Sequence, residues 1–257
     1  MEKKRKACIV TILDVANFGT MLQAYALGTV VERLGCEVEF ADYWRRDYTT
    51  AHKVRTFLRD SSLGSLPRRV AFALSALLMY APIRRRVRRF VTGRFRMSRP
   101  YRSFGQVRQR PPRADFFICG SDQIWNSTYN GGLARPFFHD FTAAPRIAYA
   151  ASSGLDAFPE EELPEIRALL EKFAALSVRE CQTCEYLRRI GFPKVQHVLD
   201  PSLLLDAEEW RRVAGCPVTE AGKGEEPPYL LVYSVERFNN DFIFSQARRI
   251  ARERGLR

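Results

Sequence analysis

Acidic residues are missing from one long stretch of this 257-residue chain. Residues 61–114 contain fourteen arginines but no aspartate, glutamate or lysine. The stretch carries +14, which exceeds the net charge of +12 of the whole chain, so the remainder is slightly acidic. The basic character therefore belongs to one segment, which predicts contact with a polyanion or with solvent at that segment rather than over the whole fold.

Long apolar runs are also missing. The longest, residues 70–82, is shorter than the roughly 20 residues that a membrane-spanning helix needs. Residues 7–13 follow a basic tail as in a signal peptide, but the run is short and Asp14 ends it. We therefore expect a first β-strand there, no transmembrane segment and a cytoplasmic protein.

Cysteine and histidine are few and scattered. Cys181 and Cys184 form a single CxxC pair, without the second pair or the histidines that a zinc site requires. The three histidines show no metal or triad spacing. The sequence predicts no metal site and no oxidising compartment, and it favours two turns of a helix at the CxxC pair.

Short apolar runs alternate with segments of helical periodicity, which is typical of a doubly wound, mainly parallel α/β sheet. The predicted strands are residues 7–13, 37–40, 116–119, 146–150, 176–178 and 195–199. Residues 44–113 are predicted to be an arginine-rich insert with helices at 54–60, 66–80 and 82–96.

The composition changes after residue 215. Residues 216–228 are rich in proline, glycine and glutamate and are predicted to be a linker. Residues 229–257 are predicted to form one strand, 229–235, and one helix, 240–254. We expect residues 1–215 to form an N-terminal α/β domain, and residues 229–257 to form the start of an incomplete second α/β domain.

A polar loop follows the strand at 116–119. Ser121, Asp122, Gln123, Trp125 and Asn126 crowd into six positions directly after Gly120. Open α/β sheets bind their ligands at the carboxyl ends of their strands, so the pattern predicts a site. The alternative is an ordinary strand-to-helix connection whose polar side chains cap a helix.

Residues 120–126, GSDQIWN, resemble the signature of the polysaccharide pyruvyl transferase family. Residues 17–27, 146–154, 176–180 and 198–205 resemble other blocks of that family, in the same order. The resemblance implies a two-domain fold of the GT-B type. It also implies transfer of a pyruvyl group from phosphoenolpyruvate, as a ketal, to a sugar of a cell-surface polysaccharide or its precursor. No cofactor is expected.

Pyruvyl transfer requires an anion site, a proton donor and a base. Asp122 is the candidate catalytic acid or base, with Ser121, Gln123 and Asn126 as substrate-binding neighbours. Trp125 offers either a stacking face for a sugar or a core side chain.

Two further segments could bind an anion. Asn17 and Gly19 stand at a helix start, where they form either an anion site or a plain capped turn. Arg179 directly follows a strand, and its guanidinium suits a phosphate or carboxylate.

There are three alternatives for the arginine-rich insert: an anionic membrane surface, packing on the domain with a solvated face, and nucleic acid. An apolar helix beside arginines can lie on an anionic membrane, where an acceptor carried on a lipid would also be found. The protein would then work at the inner face of the membrane. The second alternative is a helix packed on the domain with a solvated basic face; no nucleic-acid-binding motif is present, and nucleic acid is not expected.

Two other functions remain open. One is a glycosyltransferase of the same two-domain type that uses a nucleotide sugar. The other is a non-catalytic, membrane-associated fragment. The interpretation as a pyruvyl transferase also predicts that the chain is incomplete without the rest of a second domain.

Overall fold

The computed structural model describes residues 3–13, 15, 17–45, 50–59, 64–215, 228–232 and 240–257. Seven parallel strands form one sheet in the order β3-β2-β1-β4-β5-β6-β7. The strands are β1 Lys6–Val10, β2 Glu37–Tyr43, β3 Met97–Tyr101, β4 Phe116–Cys119, β5 Arg146–Ala151, β6 Ala175–Val178 and β7 Gln196–His197. The prediction of a doubly wound parallel α/β sheet is confirmed.

Helices cover both faces of this sheet. They are α1 Phe18–Arg33, α2 Thr50–Arg59, α3 Leu66–Arg94, α4 Phe104–Gln109, α5 Ser127–Asn130, α6 Leu163–Leu170 and α7 Cys181–Arg189, with 3₁₀ turns at Arg135–Phe138 and Pro201–Leu204. Alternate strand residues belong to two separate cores, as the two-residue period of a strand requires. One core packs against α6 and α7, and the other packs against α1 and α3.

The sheet reverses its order between β1 and β4. β1 pairs with β2 on one side and with β4 on the other, so the connections leave in opposite directions. A crevice forms at such a switch point, outside the carboxyl ends of the strands. The loop after β4, which holds the predicted site, begins there.

The predicted helical insert at 44–113 also contains a strand that was not predicted, because β3 is the edge strand of the sheet and pairs with β2. Met97–Tyr101 has no apolar alternation and includes Pro100, which an edge strand tolerates but a central strand does not. The predicted break at residue 81, between helices at 66–80 and 82–96, is wrong. α3 runs through Pro82, although an interior proline typically costs a helix about 3 kcal/mol.

The chain divides into two compact units, Met1–Asp206 and Ala207–Arg257. The second unit contains helices α8, Ala207–Ala214, and α9, Asn240–Arg254. Residues 229–232 are not in a strand, and residues 233–235 of the predicted strand lie outside the described residues. The predicted linker 216–228 also lies outside them except for Pro228, so the domain division stays a prediction. No helix in the described ranges is long and apolar enough to cross a membrane.

Candidate functional site

Polar side chains from four neighbouring strands meet at the carboxyl edge of the sheet. Hydrogen bonds connect the side chains of Ser121, Ser152, Arg179, Glu180 and Asp200, and the carbonyl of Asp122 accepts from Ser152 N. We call these six residues the carboxyl-edge cluster. Each lies in the first three residues after β4, β5, β6 or β7. Because all the strands are parallel, their carboxyl ends share one edge, and side chains far apart in sequence come into contact there.

Arg179 is the centre of the cluster. Its Nη1 donates to Asp200 Oδ2 at 3.1 Å and to Ser121 Oγ at 3.2 Å, and its Nε donates to Glu180 Oε1 at 3.1 Å. Burial alone would lower the pKa of Arg179, but the hydrogen bond to Asp200 and the charge of Glu180 outweigh it and raise the pKa. The guanidinium therefore stays charged and joins two carboxylates.

Asp200 is held in its charged form. Burial would raise its pKa, but hydrogen bonds from Ser202, Arg179 and Ser121 lower it below the usual range. Its Oδ1 accepts from Ser202 N at 2.9 Å, which caps the 3₁₀ turn that follows. Asp200 is therefore a capping residue that also forms an ion pair with Arg179.

Glu180 connects the cluster to β5. Its Oε1 accepts from Ser152 Oγ at 2.6 Å, and that hydroxyl accepts from Gly154 N at 3.1 Å. The other oxygen, Oε2, is buried and has no hydrogen-bond partner in the described part of the chain. A buried acceptor without a partner typically costs about 1–3 kcal/mol, so this carboxylate is only half satisfied.

Asp122 lies beside the start of α1. Its Oδ2 accepts from Thr20 Oγ1 at 2.6 Å, and its Oδ1 accepts from Gln123 N at 2.8 Å. Its φ of 85° is in the left-handed region, which non-glycine residues seldom adopt. Two bonds to its carbonyl, from Ile124 N at 2.7 Å and Ser152 N at 3.2 Å, hold this conformation. Backbone strain of this kind is often found at functional sites.

Buried polar side chains just after β1 and in α1 form hydrogen bonds that support the loop after β4. Thr11 Oγ1 donates to the carbonyl of Ser121 at 2.9 Å, and Gln23 Nε2 donates to Thr11 Oγ1 at 3.2 Å and to Thr20 O at 2.8 Å. These contacts connect β1 and α1 to the loop after β4. They fix the crevice at the switch point through hydrogen bonds as well as through packing.

Asn17 and Gly19 are exposed at the start of α1. Asn17 Oδ1 accepts from Gly19 N at 2.8 Å, so the side chain caps the helix. The capping alternative is thus observed, and this bond already occupies the Gly19 N–H that an anion would use. Thr20, one residue later, connects this helix start to Asp122. A ligand role for Asn17 and Gly19 stays a prediction.

Gln123 and Asn126 are engaged with each other. Asn126 Nδ2 donates to Gln123 Oε1 at 2.9 Å, and Asn126 Oδ1 accepts from Tyr129 N at 3.0 Å as the cap of α5. Gln123 also packs tightly on Gly154, where an added Cβ would lie 2.6 Å from Gln123 Cδ. Asn126 is buried, whereas Gln123 is partly exposed.

The interpretation of Trp125 as a stacking face for a sugar is wrong. Its side chain is 1% exposed and stacks on Phe138, with ring centroids 5.7 Å apart. Phe173 approaches its edge at 6.1 Å. The indole anchors the loop in the core, which was the alternative for this residue.

The structure therefore brings together Ser121, Asp122 and Arg179 of the predicted site residues, and it adds Thr20, Ser152, Glu180 and Asp200. One sequence signal could have found these four added residues: each of them closely follows a strand or lies at the start of a helix. In the described ranges, no group of three His, Cys, Asp or Glu side chains is arranged to hold a metal ion.

Residues 17–254 match the family model of polysaccharide pyruvyl transferase. The match includes every residue of the carboxyl-edge cluster. A search of curated proteins and a search of solved structures gave no significant match. Because the family model covers most of the chain, this chain belongs to the polysaccharide pyruvyl transferase family.

Proposed function

We propose that this chain transfers a pyruvyl group from phosphoenolpyruvate to a saccharide, and that the carboxyl-edge cluster binds the saccharide. Membership of the family supports a transferase. The observation that carries the proposal is the charge of the described carboxyl-edge cluster. Its one guanidinium, Arg179, pairs with the carboxylates of Glu180 and Asp200, while the carboxylate of Asp122 accepts from Thr20 and Gln123 N and has no cation as a hydrogen-bond partner among the described residues.

This charge favours an acceptor sugar over an anionic donor. Carboxylates accept hydrogen bonds from hydroxyl groups, whereas they repel phosphate and carboxylate. Arg179 already pairs with Glu180 and Asp200. In this proposal Arg179 is a positioning residue that holds the two carboxylates, and other cations neutralise the donor.

Asp122 is the base of the proposed reaction, because it is the partly exposed carboxylate at the switch point. It takes the proton of a sugar hydroxyl as the oxygen attacks C2 of phosphoenolpyruvate, while C3 gains a proton and becomes a methyl group. A second hydroxyl then bonds to C2 as the C2–O bond to phosphate breaks. Of the two hydroxyl protons, one is balanced by the proton on C3 and the other leaves with phosphate.

Two substitutions on either side of β4 test this role. Asp122 follows the strand, and Asp115 precedes it at the opposite edge, where it accepts from Lys6 N at 2.7 Å. We expect Asp122→Asn to lower saccharide-dependent phosphate release at least about 100-fold, which is typical of a lost general base. Asp115→Asn should leave the rate within a few-fold of the wild type.

The assay follows phosphate release and ketal formation by NMR, with phosphoenolpyruvate and β-linked galactose or N-acetylmannosamine acceptors. Phosphate release that depends on acceptor and on Asp122 supports the proposal. Transfer of a sugar from a nucleotide sugar, with no phosphate released from phosphoenolpyruvate, would replace it with the glycosyltransferase alternative.

A further inference from the structure

One face of α3 combines exposed aliphatic side chains with arginines that have no ion-pair partner in the described part of the chain. We call it the α3 surface: Val70, Leu74, Leu78, Arg85, Arg88 and Arg89. The intervals are four, four, seven, three and one residues. At about 100° per residue they place all six side chains within an arc of about 100° on one side of the α-helix. A different stripe of the same helix is buried and consists of Ala73, Val87 and Val91. The α3 surface therefore points away from the packed side of the helix.

The apolar part of this surface is strongly exposed. Val70 is 41% exposed, Leu74 is 56% exposed and Leu78 is 76% exposed. Single exposed aliphatic residues are ordinary, but three successive ones on one helix face form a contiguous patch. Phe72, which is 45% exposed, lies on another side of the same helix and is not part of this patch.

Among the described residues, no acidic side chain pairs with the basic part of the surface. Arg85, Arg88 and Arg89 are exposed, and none has an ion-pair partner within the described ranges. No acidic residue occurs anywhere in residues 61–114 to supply one. Arg69, at the other end of the apolar part, instead donates to the carbonyl oxygens of Gly64 and Leu58 and joins α3 to α2.

We propose that the α3 surface docks on an anionic phospholipid layer, with α3 lying in the plane of the membrane. Val70, Leu74 and Leu78 enter the region between headgroups and acyl chains, and the three arginines bind lipid phosphates. The apolar part, from residue 70 to residue 78, is about 12 Å long, whereas a span needs about 30 Å. An interfacial position is the one that this length allows.

A lipid layer is favoured over nucleic acid because it can contact both the aliphatic part and the arginine part of the α3 surface. A phosphate backbone would pair with the arginines but would leave the three aliphatic side chains in water. A second copy of the chain would cover the aliphatic side chains but would supply no counter-charge for the arginines. Only an anionic lipid layer presents hydrocarbon and phosphate together.

Vesicle co-sedimentation tests the proposal, with one vesicle of phosphatidylcholine alone and another that contains 30% phosphatidylglycerol in the mixture. The first variant is Arg85→Ser/Arg88→Ser/Arg89→Ser, and the second is Val70→Ser/Leu74→Ser/Leu78→Ser. The control variant for charge, Arg248→Ser/Arg252→Ser/Arg254→Ser, removes an equal number of positive charges, three, from α9. Thermal unfolding of each variant checks that it folds.

We expect the wild type to bind the anionic vesicles and to lose binding as salt rises. The arginine variant on α3 should bind roughly 100-fold more weakly, the α9 variant within about 3-fold of the wild type, and the aliphatic variant at least about 10-fold more weakly. Failure of the aliphatic variant to weaken binding would overturn the interfacial position.

Three results would overturn the proposal as a whole. They are equal binding to neutral and anionic vesicles, equal losses in the α3 and α9 arginine variants, and binding to homopolymeric RNA in the absence of vesicle binding. A concentration-dependent dimer that the aliphatic variant abolishes, without vesicle binding, would assign the surface to self-association instead. The test does not depend on the proposed pyruvyl transfer, since it measures binding alone.

Discussion

Thr20 at the start of α1 donates a 2.6 Å hydrogen bond to Asp122 Oδ2, across 102 residues of sequence. The bond joins the first helix to the loop after β4 at the switch point of the sheet. Thr20 is buried, and Asp122 adopts a left-handed backbone at this position. The bond therefore supports both the packing of α1 and the orientation of the candidate base.

Replacement of Thr20 by valine should destabilise the protein. The change keeps the side-chain shape but removes the donor to a charged acceptor, which typically costs about 1.5–3 kcal/mol. Urea unfolding measures the loss. Thr20→Ser keeps the hydroxyl and should recover most of the stability; equal stabilities for the serine and valine variants would show that the hydrogen bond contributes nothing.

A buried histidine should make the protein sensitive to mild acid. His139 is fully buried among Phe117, Phe141 and Phe173, and neither ring nitrogen has a hydrogen-bond partner among the described residues. Burial, together with the charge of Arg146, lowers the pKa of His139 from 6.5 to about 3.

The sign follows from proton uptake. Below pH 6.5 the unfolded chain binds a proton at His139, and the folded protein does not until about pH 3. As the pH is lowered through this window, the free energy of unfolding therefore decreases. His139 alone accounts for about 1.4 kcal/mol of this decrease per pH unit. His139→Phe should remove that slope in urea unfolding at pH 7, 6 and 5, whereas replacement of the exposed His197 by Asn should keep it. An unchanged slope in His139→Phe would contradict the account.

Two glycines in helices should respond to alanine in opposite directions. At Gly28 in α1, an added Cβ would lie 2.8 Å from Phe40 Cζ. Phe40 cannot move away because its ring stacks on Phe95, with centroids 4.4 Å apart. We expect Gly28→Ala to lower the free energy of unfolding by about 1–3 kcal/mol, because the clash exceeds the gain in helix propensity.

Gly93 in α3 is the matched control. An added Cβ there would meet nothing within 4 Å. Gly93→Ala should raise the free energy of unfolding by about 0.5–1 kcal/mol through helix propensity alone. Stabilisation by both substitutions, measured in urea, would show that Phe40 can adjust and that the packing of α1 on β2 is loose.

The central sheet could be predicted from sequence because its strands are short apolar runs that end at polar or turn residues. β4 is found at the predicted positions, β5 extends one residue further than predicted, and β2 extends three residues further. β3 could not be predicted in this way. Met97–Tyr101 is an edge strand whose side chains are mostly not buried, so the apolar pattern is absent.

The candidate site could be predicted only in part. Its position after β4 followed from the polar loop, but the partners of Arg179 did not. Asp200 lies 21 residues from Arg179, and Ser121 lies 58 residues from it. Such contacts depend on which strands are neighbours. Trp125 could not be placed from sequence for a different reason: its side chain is buried in the core although its neighbours in the loop are polar.

The most direct test of the account is to map where a saccharide binds. Amide NMR spectra of the isotope-labelled chain, recorded during titration with a candidate acceptor saccharide, locate the affected residues. We predict saturable shifts at Asp122, Gln123, Ser152 and Glu180, smaller or absent in Asp122→Asn, and no shifts in α9. Saturable shifts confined to other regions, with the carboxyl-edge cluster unaffected, would contradict the claim that this cluster holds the acceptor.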